Sequence, residues 1–437
     1  MQRSVERDLG SGRRGRAVAR IVLGLAVVTF APVVARAGIN SYADIFPGDR
    51  AAALGGAYVA LSEDGSGAYY NPAGLVGIRF ADVSLSVSAY QYQSLTADRA
   101  FFGSDWTRRG GLFVPTSFGA IRRFGAFAVG LSIAVPESYD LRTSTVYQDV
   151  AISGFTFDLD FDFKDTGQIY DVGPTFAWAI SDELAVGATI YYVYGTRDRS
   201  SFFKITDAAD PSAVSGVSFT TSEESITGFT GTLGVSWQPD PCWRFGLRVR
   251  PPTDLHHFRK EQDSQFFGTD DPRGLLPGFD TPTVLNKGFS EGVPGNATLG
   301  AAWTPAPELT LAVDVSYYLE EDYPDFVQPV RREPTWNVSA GAEYFLHPSV
   351  PLRVGFYTNN SSAPEPVRGA TSQREKSDVY GFTVGANWIS EHTELGLGLR
   401  QGFVVGKLIA LTADAASPPV DLRGTETSVF LASRYKF

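Results

Sequence analysis

From Ala81 to Tyr92 the chain alternates without a break. Ala81, Val83, Leu85, Val87 and Ala89 fall on one face of an extended strand, and Asp82, Ser84, Ser86 and Ser88 on the other. The same period of two returns with Phe127, Val129, Leu131, Ile133 and Val135, and with Tyr170, Val172, Phe176, Trp178 and Ile180, whose intervening residues are mainly Gly, Ala, Ser, Thr and Asp. A helix, with about 3.6 residues per turn, would scatter such a pattern around its whole circumference. Further copies run over 184–194, 229–237, 243–250, 297–303, 309–317, 336–346, 352–356, 380–388, 395–399 and 427–437, and a weaker one over 118–123. The expectation is 14 strands, apolar on one face and small or polar on the other.

The first 37 residues belong to a different regime. Arg3, Arg7, Arg13, Arg14, Arg16 and Arg20 precede an apolar run from Ile21 to Val34 that ends in Ala35-Arg36-Ala37, the layout of a cleaved secretory signal. The run of about 14 residues rises only ~21 Å as a helix, short of the ~30 Å hydrocarbon core. No later stretch approaches 18 apolar residues. Removing residues 1–37 takes away seven Arg and two acids, Glu6 and Asp8, so a net charge of −11 becomes −16. So acidic a chain lacks the basic stripe of a nucleic-acid binder. The single Cys242 excludes an intrachain disulfide.

Connection lengths alternate around the strand count. Short links are 124–125, 181–183, 239–242, 305–308, 347–350 and 390–392; long ones are 93–115, 137–167, 195–224, 251–288, 319–334, 358–377 and 403–424. An even-stranded meander with short turns at one end and long loops at the other is the pattern of an outer-membrane barrel, short end toward the periplasm. Tyr90, Tyr92, Trp178, Tyr192, Trp237, Trp243, Trp303, Tyr317, Trp336 and Trp388 sit at strand ends, where amphipathic rings favour the membrane interface. Residues 155–163, with Phe157, Leu159, Phe161 and Phe163 between Asp158, Asp160 and Asp162, either extend the fourth strand with a bulge near 165–169 or form a hairpin in the loop. Val429, Leu431, Tyr435 and the terminal Phe437 share a face and resemble the signal read by the barrel-assembly machinery, a biogenesis partner.

Residues 51–75 show no strand period. Their Gly/Ala-rich run ends in Asn71-Pro72-Ala73-Gly74, whose Pro fixes φ and whose Asn can cap a turn. This segment resembles the N-terminal hatch of FadL/TodX-type long-chain fatty acid and hydrocarbon transporters. Residues 293–300, 340–344 and 351–357 are similar to that family's stretches around its eighth to eleventh strands, and Val114-Pro115 and Val135-Pro136 to prolines flanking its second and third. The resemblance covers most of residues 40–437. It implies an all-β fold, a 14-stranded antiparallel transmembrane barrel with an N-terminal luminal plug, divided into signal 1–37, plug 38–78 and barrel 79–437.

The resemblance further implies passive transport of long-chain fatty acids or similar apolar molecules, with lateral exit into outer-membrane lipids. Plug residues would be Asn71, Pro72 and Ala73. The family's apolar entry groove would draw on Phe202 and Phe203 of the third loop and Phe266, Phe267, Leu275, Leu276 and Phe279 of the fourth, although these residues could equally pack the two loops together. By strand parity Arg248, Arg250, Arg353 and Arg400 point inward, as ligand contacts for a carboxylate or as partners of luminal acids. The small inner face of Gly130, Ala134 and Pro136 marks a possible lateral gate on the third strand. A monomer without cofactor or metal is expected. None of the four His lies on an inward strand beside a Ser nucleophile, against an enzyme. PorV-like barrels share the fold, so a partner-binding role in protein secretion is the alternative.

Overall fold

The computed structural model describes residues 41–437 except 80, 153–154, 267–282, 325–329, 370–372, 374 and 412–416. The expected signal segment lies outside the described residues. Strands β1 (Ala81–Phe101), β2 (Ser104–Phe124), β3 (Phe127–Ile152), β4 (Phe155–Ala179), β5 (Leu184–Asp207) and β6 (Asp210–Trp237) form antiparallel neighbours. They continue through β7 (Trp243–Arg250), β8 (Thr253–Phe266), β9 (Thr283–Val293), β10 (Asn296–Ala306) and β11 (Leu309–Tyr318). A small ribbon, β12 (Glu321–Tyr323) with β13 (Val330–Arg332), precedes β14 (Thr335–His347), β15 (Val350–Asn359), β16 (Lys376–Ile389), β17 (Thr393–Ile409) and β18 (Pro419–Lys436). β18 returns to β1, from Asp82↔Lys436 to Ala97↔Leu422, and closes the sheet.

Two long strands are each written in two pieces. β7 pairs with β6 up to Leu233↔Val249, and β8 resumes on β6 at Gly228↔Leu255, with Pro251-Pro252 between them. β9 and β10 are separated in the same way by Pro294-Gly295. Proline has no N–H to give the ladder, so both breaks fall where the ladder cannot be completed. Counting each broken strand once gives a closed antiparallel barrel of 14 strands.

The barrel's outer wall is apolar over a limited height. Val129, Leu131, Phe176, Ile190, Leu233, Leu299, Val313, Val354, Val384 and Leu397 are all exposed. Below them lies a ring with Trp178, Trp237, Trp243, Trp303, Trp388 and Phe437; above them lies another with Tyr90, Tyr192, Tyr194, Phe229, Tyr317, Trp336 and Tyr380. The lower rings stack on one another, Trp243 on Trp303 at 5.8 Å. An apolar band between two aromatic girdles is a surface made for lipid. Along β4 the girdles are marked by Trp178 and Tyr170, eight residues and ~26 Å of strand apart, or about 20 Å of height at a strand tilt of about 40°.

Above the upper girdle the polarity of the strands reverses. On β4 the odd-numbered residues point inward without interruption from Phe157 to Ala177. In the band the inward set is Asp171, Gly173, Thr175 and Ala177. Higher up it is Phe157, Leu159, Phe161 and Phe163, while Asp158, Asp160 and Asp162 turn outward. These four side chains join Leu95, Phe101, Trp106, Tyr147, Ile205, Val379, Val404, Leu408 and Leu422 in a core inside the upper barrel. Outside the bilayer the wall must face water and the core must be apolar, the inverse of the arrangement within it. The expected bulge at 165–169 is absent, because it is the polarity and not the phase that changes. The expected first four long loops are largely strand: β1–β2, β3–β4 and β5–β6 run on as hairpins, and β8 and β9 extend the fourth.

Residues 41–78 lie inside the barrel. Their regular elements are short: a helix Asp49–Ala53, a helix Gly67–Tyr70 and a 3-10 turn Pro72–Gly77. Contacts reach walls on all sides. Arg50 forms a bidentate pair with Glu343 of β14 at 2.8 and 3.0 Å, which Arg353 shares at 2.6 Å. Thr189 of β5 donates to Ala68 O at 2.9 Å and Thr383 of β16 to Ala53 O at 2.8 Å. The Asn71 amide donates to Val59 O and to Val235 O of β6, both at 2.9 Å, and its oxygen accepts from Ala73 N. Asn71-Pro72-Ala73 is thus a fastening between the segment and the wall. Glycines make room for it: a Cβ on Gly234 would stand 2.0 Å from Asn71 Oδ1, and one on Gly355 2.3 Å from Gly55 N.

Gly355→Leu places side-chain atoms on the backbone of Leu54 and Gly55, an overpacking of about 1–3 kcal/mol. The expected outcome is a barrel that still shows heat-modifiable migration but whose inner segment is loosened, so that trypsin cuts after Arg50 several times faster, as read by mass spectrometry. Unchanged protection of Arg50 contradicts the packing described.

Candidate functional site

Two features of the interior adjoin one another: a break in the β2–β3 ladder and a cavity beside it. β2 and β3 pair continuously from Phe124↔Phe127 to Ser117↔Ala134 and then not again until Arg109↔Arg142. Each strand slips register at a proline on the edge of this break. β2 shifts against β1 between Ser86 and Val87, opposite Pro115 and Ser117, and β3 shifts against β4 between Ala134 and Glu137, across Pro136. The prolines therefore sit within the strands and bulge them, where the resemblance placed them at strand ends. Behind the break, Ile45 of the inner segment packs with Val114 and Val135, all three buried, with Leu112 and Tyr170 at the margin. On the outside Phe113 is 65% exposed. Gly130 and Ala134 lie below, in intact ladder; a Cβ on Gly130 would stand 2.3 Å from Ala120 O, so that part of the expected gate is tightly closed.

The cavity holds about 190 Å³. One wall is the strip Ser41–Phe46, another carries Pro136, Ile169, Val193, Leu255 and Val293, and Tyr69 and Tyr70 line it from the inner segment. Four arginines line it: Arg197, Arg248, Arg250 and Arg332. Of the four luminal arginines expected to contact ligand, the structure brings Arg248 and Arg250 to the cavity and leaves Arg353 and Arg400 away from it. Arg250 is paired with Asp171 at 3.1 Å and stacked on Tyr69 at 4.5 Å. Arg353 is held by Glu343 and Asn387. Arg400 donates to Tyr357 Oη at 2.7 Å and to Asp44 O, bracing the 41–46 strip.

Among the expected groove residues, Phe203 packs against Phe101 and Phe161 in the upper core, and Phe202 pairs with Phe219 across β5–β6. Phe266 ends β8, and Phe267, Leu275, Leu276 and Phe279 fall outside the described residues.

The cavity's upper rim is a charged cluster that sequence reading did not assemble. His257 of β8 is fully buried, its Nδ1 2.7 Å from Glu224 Oε1 and its Nε2 3.1 Å from Glu291 Oε2. Arg259 holds Glu224 at 2.6 Å, Arg332 holds Glu291 at 2.6 Å, and Arg197 reaches Glu291 at 3.2 Å and Glu137 at 3.3 Å. Phe289 stacks on the imidazole at 4.7 Å. Burial by itself would lower the His257 pKa, but hydrogen bonding to Glu224 and Glu291 outweighs it and raises the value above the ordinary one. The signal was available in principle: Glu224, His257 and Glu291 lie inward by parity. Their register depended on hairpins that length alone reads as loops.

No protein-family model and no curated protein sequence matches the chain. Solved structures do. A FadL homologue from Pseudomonas aeruginosa superposes with a TM-score of 0.64 at 14% identity, covering 91% of this chain and 100% of its own. The toluene transporter TodX of Pseudomonas putida gives 0.58 at 12%, covering 89% and 97%. CymD, a monoaromatic hydrocarbon channel, gives 0.56 at 13%, also covering 89% and 97%. The protein is thus a 14-stranded barrel with a chain segment in its lumen. Its fold is the one shared by the FadL homologue, TodX and CymD.

A His257 value raised by folding stabilises the charged imidazole. That contribution is complete below the unfolded value of about 6.5 and is lost as pH rises through the folded one. The His257→Gln barrel should therefore denature at a lower temperature than wild type at pH 5.5, by the equivalent of about 1–3 kcal/mol, with the gap narrowing by pH 9. A gap independent of pH would show that His257 is not charged in the fold.

Proposed function

We propose that the chain resides in the outer membrane of a Gram-negative bacterium, with its termini in the periplasm, and passes hydrophobic compounds from the outer surface into the lipid. Residues 41–78 act as a plug that stops small solutes from leaking through the lumen. The observation that carries the reading is the β2–β3 interruption: an unladdered stretch of wall that begins at the height of the upper girdle, backed by Ile45 and adjoining the cavity. A route through the wall spares an apolar molecule the polar lower lumen, where Arg50, Glu343, Arg353, Glu394 and Arg434 are concentrated. TodX, a toluene transporter, and CymD, a monoaromatic hydrocarbon channel, support the same class of cargo, for which fatty acids and aromatic hydrocarbons are the candidates.

Replacing Pro115 by Val and Pro136 by Thr together supplies the missing N–H donors and favours a continuous β2–β3 ladder. Cells producing this variant, with assembly verified by heat-modifiable migration, should take up labelled oleate or toluene at least about tenfold more slowly than cells with the wild-type barrel. Equal rates would remove lateral exit from the account. Wild-type cells no faster than cells lacking the protein, for both compounds, would overturn the transport reading.

A further inference from the structure

The bulge at Pro136 returns β3 to the β4 ladder at Glu137↔Ile169, but toward β2 the strand stays unpaired until Arg142. Glu137 lines the cavity, and its one charged partner among the described residues is Arg197 of β5, at 3.3 Å. Arg197 is shared. Its Nη1 also lies 3.2 Å from Glu291 of β9 and 3.6 Å from Glu224 of β6. None of these three contacts is as close as the 2.6 Å at which Arg259 holds Glu224 and Arg332 holds Glu291. The buried Nε–H of Arg197 has no acceptor. The guanidinium thus stands between two sets of acids, Glu137 on one side and Glu224 with Glu291 on the other, without a tight pair in either.

His257 decides between the two sets. A neutral imidazole has one N–H to give, yet both ring nitrogens face a carboxylate oxygen, Glu224 at 2.7 Å and Glu291 at 3.1 Å. The arrangement is attractive on both sides only while the ring carries two protons. Phe289 of β9 covers the ring face, and Arg259 stands two residues along β8. The other charged groups around it are Glu224, Glu291, Arg197 and Arg332 of β13. Behind Arg197 lie Glu137 and Tyr139 of β3, Asp165 of β4 and Arg199, with Asp44 of the inner segment beyond Glu137. When the proton leaves, one nitrogen turns a lone pair on a carboxylate it had attracted. Arg259 and Arg332 are already spent on short pairs, so Arg197 is the cation that moves to compensate.

We infer that the β2–β3 break is under proton control: charged His257 leaves Arg197 to Glu137 and holds β3 above Pro136, whereas neutral His257 draws Arg197 to Glu224 and Glu291 and releases it. The proton passes between the cluster and the outer medium by way of the cavity, which Glu137, Arg197 and Glu291 line. Arg197 and Glu137 are positioning residues, acting through the strand and not on the cargo. The coupling is reciprocal, so a held Glu137 in turn favours the charged imidazole. Its consequence for transport rests on the proposed passage of hydrophobic compounds and adds a regulation to it: exit is slow in an acid medium and faster in an alkaline one.

Hydrogen exchange of the amides in 135–141, read by mass spectrometry on the purified full-length barrel and corrected for the intrinsic pH dependence of exchange, reports the state of the strand. In wild type the corrected rate should rise at least about fivefold from pH 5.5 to pH 9. His257→Gln and Glu137→Gln, each checked for heat-modifiable migration, should exchange at the faster rate at both pH values. A flat wild-type profile, or a rise that survives in either variant, would overturn the inference. If His257→Gln fails to assemble, Glu137→Gln decides alone. Labelled toluene, which does not titrate, tests the consequence: its uptake above that of cells lacking the protein should rise over the same interval, and be independent of pH with Glu137→Gln. Exchange that switches while toluene uptake is absent at both pH values keeps the proton control and removes the passage. Uptake with flat exchange does the reverse.

Discussion

In an apolar phase every backbone N–H and C=O must find a partner within the protein, and almost everything about this chain follows from how it meets that demand. The 14-stranded ladder closes on itself through β1 and β18, so no sheet edge is left facing lipid. The long interruptions of the ladder fall at prolines, while shorter register shifts, as between Ser88 and Tyr90 of β1 and between Tyr147 and Val150 of β3, occur without one. Pro251-Pro252 and Pro294-Gly295 break two strands at the height where the polarity of the wall changes. Pro115 and Pro136 stand near the same height and leave β2 and β3 unpaired over several residues. There the demand is unmet by the ladder, and apolar packing of Ile45, Val114 and Val135 covers the place from inside.

The interior is organised by the same economy of polar groups. Inside the lipid band the small inward residues let residues 41–78 approach the wall closely enough for backbone hydrogen bonds, as at Gly234 beside Asn71 and Gly355 beside Gly55. Charges in the lower lumen are matched in chains, Arg50 and Arg353 on Glu343, Arg434 on Asp82. Near the upper girdle the cluster of Glu137, Arg197, Glu224, His257, Arg259, Glu291 and Arg332 fastens β3, β5, β6, β8, β9 and β13 to one another over the cavity.

Much of the fold was legible because a period of two, read over a dozen segments, has a single geometric meaning. Strand count, closure and inward parity of Arg248, Arg250, Arg353 and Arg400 all come from it. The hairpins above the girdle were read as loops because the apolar face changes sides there, as between Phe163 and Tyr170, and a reader following the outer face loses the strand where it continues. The site was legible only in part. Parity shows that an arginine points inward, but whether an acid meets it depends on residues far away in sequence: Asp171 opposite Arg250 and Glu343 opposite Arg353, whereas Arg248 donates to Thr298 and Asn296. Ile45 carries no pattern of its own, and its role follows from where the inner segment passes the break. Of the residues expected to form a lateral gate, Pro136 lies within the unpaired stretch, Ala134 bounds it from below and Gly130 sits in intact ladder.

The central claim is that an apolar molecule in the lumen meets the wall between β2 and β3 rather than the lower opening. That opening holds two polar hollows of about 230 and 220 Å³, sharing Glu63, Gln238 and Arg244. The most direct measurement is photo-crosslinking of a diazirine-bearing hydrophobic amphiphile to the barrel in bilayers, mapped by peptide mass spectrometry. The account predicts adducts on Ile45, Phe113, Val114 and Val135; adducts concentrated on Glu63, Gln238 and Arg244, with none at the β2–β3 break, would contradict it.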